Sequence, residues 1–327
     1  MKQMKKGSKT SKVKSRASAF LCAVFAAVIA GATVFSACAD SAKSFNHKTP
    51  AEDTAQTTTQ EASNSLRFVV NGDFEKNWNN AVKVSKGKGK QVWFILGADW
   101  IAPTAEANHP FGADADGFSY GRITVPAGAD IVLDLNGHTI NRGLTTYTQL
   151  GSVLYIDGGK LTLEDGAGGG TVTGGWTGEY QNWHPTESDY DYGGGVIMKS
   201  GEFTLNGGSI TGNYADCAGG VYIIGGKFIM NGGSVTNNTA DRDGAGVEID
   251  NGADHEINGG EISYNTGKIS VDTNGGGGLM LYAGSSLTMN GGKITHNTTA
   301  GDGGGVLVYA NQHLRSTTAK FLITTQG

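Results

Sequence analysis

The segment between Gly175 and Gly193 concentrates side chains that could bind a ligand. It holds five aromatic residues and four carboxylates, which are Trp176, Tyr180, Trp183, Tyr190, Tyr192, Glu179, Glu187, Asp189 and Asp191. Flat aromatic rings stack on sugar rings, and carboxylates bind hydroxyl groups or Ca²⁺. Residues 176–192 therefore predict a ligand-contact site, in which Trp176 and Trp183 offer the largest faces.

Two interpretations of this segment stand. Either it is a long functional loop whose polar contacts are Glu179, Asp189 and Asp191, or it buries its own aromatic rings against the wall of the domain. The position of the rings relative to the domain separates the two.

Turn aspartates lie on the same flank of the predicted structure, at Asp216, Asp241, Asp243, Asp272 and Asp302. Stacked turns would bring them into a row, which is a candidate Ca²⁺ site. Solvated turn aspartates are the alternative, because Asp favours turns. No other cofactor is indicated, because the chain has no G-x-x-x-x-G-K-[ST] motif, no C-x-x-C pair and no H-x-x-x-H pair.

A repeat supplies the scaffold that must position these residues. The motif Asn-Gly-Gly-x-(Ile/Val)-(Thr/Ser)-x-Asn occurs at 206–213, 231–238, 258–265 and 290–297, with starts 25, 27 and 32 residues apart. A short strand of alternating apolar residues precedes each copy, and another follows after a glycine-rich turn. Such strands bury their apolar faces only by stacking in parallel on the next copy, about 4.8 Å away. The repeat therefore predicts an all-β parallel β-helix.

The final asparagine of each copy is predicted to be structural. These residues would stack at one corner of successive coils, with their amides hydrogen-bonded to one another: Asn213, Asn238, Asn265 and Asn297. His255 occupies the inward position held by Phe203 and Phe228 in earlier copies. It is predicted to be a hydrogen-bonded core histidine.

The repeat resembles those of right-handed, pectate-lyase-like β-helix proteins of bacterial surfaces. Its Gly-Gly-Val pattern is similar to the repeats of polymorphic outer-membrane autotransporters, and residues 131–140 resemble the first coils of such adhesin-like proteins. The resemblance covers about residues 67–327. It implies a cell-surface protein that contacts an extracellular glycan or a surface protein.

The same resemblance implies an enzymatic alternative, a polysaccharide lyase or glycoside hydrolase. The residues do not favour it. The basic residues of the repeat are isolated, and the chain has no Asn-Thr-Asp, Asp-Asp or Gly-His-Gly motif. A non-enzymatic role in adhesion or glycan contact is therefore the preferred prediction, and no catalytic residue is assigned.

The N-terminus has the pattern of an export signal. Residues 1–16 are basic, residues 19–37 are apolar, and small residues follow. Phe35-Ser36-Ala37-Cys38 resembles a bacterial lipobox, which predicts lipidation of Cys38; plain cleavage before Asp40 and a retained membrane helix are the alternatives. The signal would end at residue 39, and residues 40–66, rich in Ala, Thr, Ser and Gln, predict a flexible tether.

The two ends of the predicted β-helix differ. Residues 74–85 place Phe74, Trp78, Ala81 and Val82 at helical spacing, which predicts a short helix covering the N-terminal end of the core. The C-terminal sequence has no equivalent cap, which predicts a fragment of a longer protein.

One sheet has an outward stripe that is unusually apolar, at Ile197, Tyr222, Met280 and Leu307, interrupted by Glu248. It marks either a partner surface or a strip covered by a loop.

Charge argues against a nucleic-acid partner. The chain has 25 basic and 30 acidic residues, and seven of the basic ones precede residue 40. The acidic remainder disfavours phosphate backbones and anionic membrane surfaces, so membrane contact is expected only through the N-terminal anchor.

Overall fold

The computed structural model describes residues 65–102, 118–119, 121–148, 150–178, 192–268, 275–282, 284–309 and 313–316. All of them belong to the compact unit Glu52–Gly327. The predicted signal and nearly all of the predicted tether, with Cys38, lie outside the described residues. In the described ranges, no helix is long and apolar enough to cross a membrane.

The strands, numbered β1–β26 along the chain, form three sheets. The first sheet contains β1 (Leu66–Val70), β2 (Val92–Leu96), β4 (Phe118–Ser119), β5 (Arg122–Pro126), β6 (Asp130–Asp134), β8 (Leu154–Glu164), β10 (Val196–Leu205), β13 (Val221–Ile223), β14 (Lys227–Met230), β17 (Val247–Ile249), β18 (Gly252–Ile257), β21 (Leu279–Leu281), β22 (Ser285–Met289), β25 (Val306–Val308) and β26 (His313–Ser316). The second contains β3 (Trp100–Ile101), β7 (Thr139–Asn141), β9 (Thr171–Thr173), β11 (Ser209–Thr211), β15 (Ser234–Thr236), β19 (Glu261–Ser263) and β23 (Lys293–Thr295). The third contains β12 (Tyr214–Ala215), β16 (Thr239–Ala240), β20 (Thr266–Gly267) and β24 (Thr298–Thr299).

Each strand of the repeat pairs in parallel with its copy in the next coil. In the second sheet, Ile210 pairs with Val235, Val235 with Ile262, and Ile262 with Ile294. Among the described strands, β4 and β5 form an antiparallel pair. Parallel strands in stacked sheets are compatible with a parallel β-helix-like solenoid, as the repeat predicted.

The inward side chains of successive coils form one apolar core. Val196, Val221 and Val247 are fully buried in successive strands of the first sheet. The rings of Phe203 and Phe228 stack with centroids 5.6 Å apart. His255 continues this column at 0% exposure, and its Nδ1 accepts a hydrogen bond from the Phe228 N–H at 3.0 Å. The prediction of a hydrogen-bonded core histidine is confirmed.

A buried asparagine ladder joins the second sheet to the third. The Nδ2 of each asparagine donates to the Oδ1 of the next, at 3.0 Å from Asn213 to Asn238, 3.1 Å from Asn238 to Asn265 and 2.9 Å from Asn265 to Asn297. Each Oδ1 also accepts the backbone N–H of the previous ladder residue. The ladder predicted from the sequence is confirmed.

Helix α1 (Phe74–Lys88) packs its apolar face into the core. Asp73 caps its N-terminus, where the side chain accepts a hydrogen bond from the Lys76 N–H. Gly89, which has a φ of 58°, caps its C-terminus. The Trp78 Nε1 donates to the Thr124 carbonyl at 3.0 Å. The predicted helix therefore forms and extends to Lys88.

The apolar stripe on the first sheet is covered. Ile197 and Met280 are fully buried, because the turn before each strand folds back over the outward side chain. A Cβ at Gly193 would lie 2.6 Å from Ile197 Cγ1, and one at Gly276 would lie 2.9 Å from the Cβ of Met280. Both glycines have positive φ, which lets the turn approach this closely. At Ile197 and Met280 the partner-surface interpretation is wrong, and the covered strip is correct.

The ladder gives a first prediction. Asn238→Ala should lower the free energy of unfolding by about 2–4 kcal/mol, because it leaves buried donors and acceptors of Asn213, Asn265 and Ile210 unsatisfied. Asn231 is an exposed asparagine that is hydrogen-bonded to Asn206 and Asn258 in the neighbouring coils. Asn231→Ala should lower the free energy of unfolding by less than about 1 kcal/mol. Urea unfolding of both variants measures the difference, and equal losses would contradict a special role for the buried ladder.

Candidate functional site

The structure describes the two ends of the predicted ligand-contact segment. Trp176 and Tyr192 are both half-buried. The other predicted residues lie outside the described residues: Glu179, Tyr180, Trp183, Glu187, Asp189, Tyr190 and Asp191. The choice between a functional loop and a self-packed loop therefore remains a prediction for them.

Trp176 starts the segment beside the first strand of the third sheet. Its backbone forms a parallel bridge to Tyr214, and its N–H donates to the Gly151 carbonyl at 3.1 Å. The rings of Trp176 and Tyr214 lie 4.5 Å apart between centroids, with an interplanar angle of 31°. Two aromatic rings are thus fixed side by side at the point where the segment leaves the solenoid.

Charged groups from two later coils meet the Tyr214 ring. The Tyr214 hydroxyl donates to Asp241 and accepts from Lys268 Nζ at 3.1 Å. The Lys268 ammonium lies 4.2 Å from the centroid of the same ring, within cation–π distance. Lys268 is exposed, so this end of the network faces solvent.

Tyr192, the last residue of the segment, belongs to a second network of side-chain contacts. Its backbone bridges Cys217, and its ring meets Tyr222 edge-to-face at 5.2 Å. Its hydroxyl accepts from Arg242 at 3.2 Å, and the same guanidinium forms a bidentate ion pair with the buried Asp216. Burial lowers the pKa of Arg242, but the hydrogen bonds to Asp216 and the electrostatic effects of Cys217, Asp216 and Tyr192 together outweigh burial, so the pKa is raised. We call the seven residues of these two networks the insertion base: Trp176, Tyr192, Tyr214, Asp216, Asp241, Arg242 and Lys268.

Three carboxylates form an acid cluster next to the insertion base. They are Asp243 and Glu248, which are 2% and 3% exposed, and the half-buried Asp250. Asp243 accepts from the Gly275 N–H at 2.9 Å, and Asp250 accepts from the Tyr222 hydroxyl at 2.5 Å. The Oε2 of Glu248 is buried and has no hydrogen-bond partner among the described residues.

Burial makes Asp243 and Glu248 weaker acids than exposed carboxyl groups. It raises the pKa of Asp243 to about 6, despite the bond from the Gly275 amide. It raises the pKa of Glu248 well above the ordinary value, and the negative charges of Asp250, Asp243 and Asp216 add to this effect, while Arg242 opposes it. The site therefore favours the protonated form of Glu248 more than solvent does. A carboxylic acid that stays protonated in a buried site can donate a proton or a hydrogen bond.

The predicted row of Ca²⁺ ligands does not assemble in the part of the chain that the structure describes. Asp216 is paired with Arg242, Asp241 accepts from Tyr214, and Asp243 accepts from Gly275. Asp302 is exposed, and Asp272 lies outside the described residues. Among the described residues, no group of three His, Cys, Asp or Glu side chains could hold a metal ion.

Four residues of the insertion base and the acid cluster were not predicted as site residues from the sequence: Tyr214, Glu248, Arg242 and Lys268. Tyr214 carries a signal, because it directly follows a ladder asparagine where later coils have threonine. Arg242 and Lys268 carry none in their own motif copies, because their partners lie one and two coils away.

Comparison with protein-family models, curated proteins and solved structures finds no match.

The acid cluster gives a second prediction. A carboxyl group with a raised pKa in the folded state binds more protons there than in the unfolded chain, so it makes stability fall as pH rises above the ordinary pKa of glutamic acid. Glu248→Gln should be close to wild type near pH 4 and more stable by roughly 1–3 kcal/mol near pH 8, because it removes a carboxyl group that ionises readily in the unfolded chain but resists ionisation in the folded state.

Urea unfolding across this pH range measures the effect. Glu202→Gln, at a half-exposed carboxylate paired with Lys160, is the matched control and should show no such trend. A gain that is independent of pH would show that Glu248 is not the titrating group.

Proposed function

We propose that the protein is an exported, lipid-anchored cell-surface protein whose solenoid binds an extracellular glycan without turning it over. The observation that carries this proposal is the Trp176–Tyr214 pair with Lys268 and Asp241, placed at the root of segment 176–192. The right-handed winding, the capping role of α1 and the kinship with adhesin-like surface repeats belong to the same proposal.

The chemistry of the insertion base supports a sugar ligand. Aromatic rings present apolar faces to the C–H groups of a sugar, and nearby charged groups bind its hydroxyls. Tyr214 supplies a ring and the exposed Lys268 a donor, and the buried Asp241 holds the Tyr214 hydroxyl in place. Because three coils contribute, the rigid parallel sheets hold the groups in place before a ligand arrives.

The acid cluster favours a second candidate, glycoside hydrolysis. Asp243 and Glu248 are carboxyls with raised pKa values near a guanidinium, which is a pattern found at catalytic sites. Their near-complete burial argues for the binding role, since a catalytic acid must reach the glycosidic oxygen. Product analysis on any glycan that binds separates the two functions.

The binding proposal gives a third prediction. In a glycan screen with the full chain, Trp176→Ala should weaken binding to any hit by roughly 1–2 kcal/mol, because half of the ring pair is lost. Trp93→Ala, at a half-buried tryptophan beside Arg67 on the first sheet, is the matched control and should leave affinity unchanged.

Thermal midpoints of both variants keep the result interpretable. An unchanged affinity of a folded Trp176→Ala variant would overturn the role of the insertion base. If Trp176→Ala unfolds, Lys268→Gln, at an exposed side chain, tests the same network and should also weaken binding.

The anchor gives a fourth prediction. We expect the mature N-terminus to be a lipidated Cys38 and the protein to partition with membranes, because small residues precede that cysteine at the end of the apolar stretch. Mass spectrometry of the mature N-terminus and fractionation measure this, with Cys38→Ala as the control. A free N-terminus at Asp40 in a soluble fraction would contradict it.

A further inference from the structure

A second pair of aromatic rings lies at the corner between the second and third sheets, directly before two of the ladder asparagines. Tyr264 and His296 belong to adjacent coils, and their rings stack with centroids 4.8 Å apart and an interplanar angle of 8°. Tyr264 is 53% exposed, and His296 is exposed as well. Two stacked rings in solvent are not needed to fill a core.

The backbone of both residues is strained. Tyr264 has a φ of 54° and His296 a φ of 55°, in the left-handed region that bulky side chains rarely adopt. The same corner of the two preceding coils is occupied by Gly212 and Asn237, which tolerate that conformation well. The strained backbone at Tyr264 and His296 costs free energy, and no core packing by the two rings offsets that cost. Strained backbone conformations of this kind cluster at binding sites.

The strand register relates this pair to the insertion base. Tyr214 pairs with Thr239, and Thr239 pairs with Thr266, so Thr266 lies two coils above Tyr214, roughly 10 Å along the axis. Tyr264 lies two residues before Thr266, on the other side of the buried ladder residue Asn265. The two aromatic pairs therefore flank one column of ladder asparagines.

Hydroxyl groups lie between and beyond the two pairs. The outward positions of the third sheet are Thr239, Thr266 and Thr298, and the hydroxyl of Thr298 donates to that of Thr266 at 3.3 Å. The inward positions of the same strands are Ala215, Ala240 and Gly267, so the threonines face away from the core.

Resting on the proposed glycan function, we infer that the third-sheet face is an extended track for one linear glycan chain that spans both aromatic pairs. The chain would contact Trp176 and Tyr214 at one end, the threonine hydroxyls in the middle and Tyr264 with His296 at the other end. The exposed Lys268 is the charged group that we place on this track, which fits a neutral or weakly charged chain. A single sugar ring would reach one pair alone, so affinity should depend on chain length.

The test measures binding of cello-, xylo- and chito-oligosaccharides, each as di-, tetra- and hexasaccharide, to the full chain by calorimetry. For the series that binds, we expect affinity to rise with length until both pairs are spanned. The double variant Tyr264→Asn/His296→Asn should lose about tenfold in affinity for the hexasaccharide and nothing for the disaccharide. Asparagine is the residue at the same corner in the preceding coil, so the variant should fold with an unchanged or raised thermal midpoint.

The control is Tyr309→Asn, at an exposed tyrosine stacked on Tyr282 beside the first sheet, and it should leave both affinities unchanged. If the disaccharide binds through Trp176 but neither length nor the double variant matters, the track is overturned and the insertion base stands. If no series binds, the glycan function and the track fall together.

Discussion

The structure depends on hydrogen bonding between successive coils, and the buried asparagine ladder is where that dependence is strongest. Each ladder side chain satisfies the amide of its neighbour, a backbone N–H of the previous coil and a backbone carbonyl. An amide has both donors and acceptors, so one residue type continues the ladder without limit, whereas a carboxylate or hydroxyl would leave groups unsatisfied. The ladder fixes the register of the second and third sheets. Outward side chains at equivalent positions of successive coils therefore line up in the same register.

This register explains how short motif copies build a site that none of them contains. Lys268, Asp241 and Tyr214 come from three coils, yet they meet because Tyr214 stacks below Thr239 and Thr266 in parallel pairing. Contacts between coils cover sequence separations of about one repeat, such as 26 residues between Asp216 and Arg242. A change in one coil length would move one partner away from the other, which is why ligand-contact residues on a solenoid constrain its repeat lengths.

The fold was predictable from the sequence to a greater extent than the site. Period-2 strands, glycine turns and the recurring asparagine predicted the parallel sheets and the ladder, because these features repeat in each motif copy and report on local backbone geometry. The helix that begins at Phe74 followed from the helical spacing of apolar residues. The buried His255 followed from its position in the repeat. The networks of Arg242 and Glu248 did not, because a side chain's partner one coil away depends on register and on the direction in which each side chain leaves a turn. The covered stripe at Ile197 and Met280 shows the same limit of sequence-based prediction. The sequence shows that these positions are apolar, but it does not show that the preceding positive-φ turn folds back over them.

The two strained aromatic residues and the buried glutamate are departures from what the repeat alone requires. Glycine or asparagine would satisfy the corner at Tyr264, and an apolar residue such as Ile197 or Met280 satisfies the covered strip where Glu248 lies. Each departure lowers stability locally, and a solenoid with a continuous ladder and core can tolerate a few of them. Both lie in coils that follow the segment at 176–192, on the two sides of the third sheet. The repeat stays regular in its core and varies on one flank. The ladder and core therefore carry the stability, and the recognition that we propose lies on that flank.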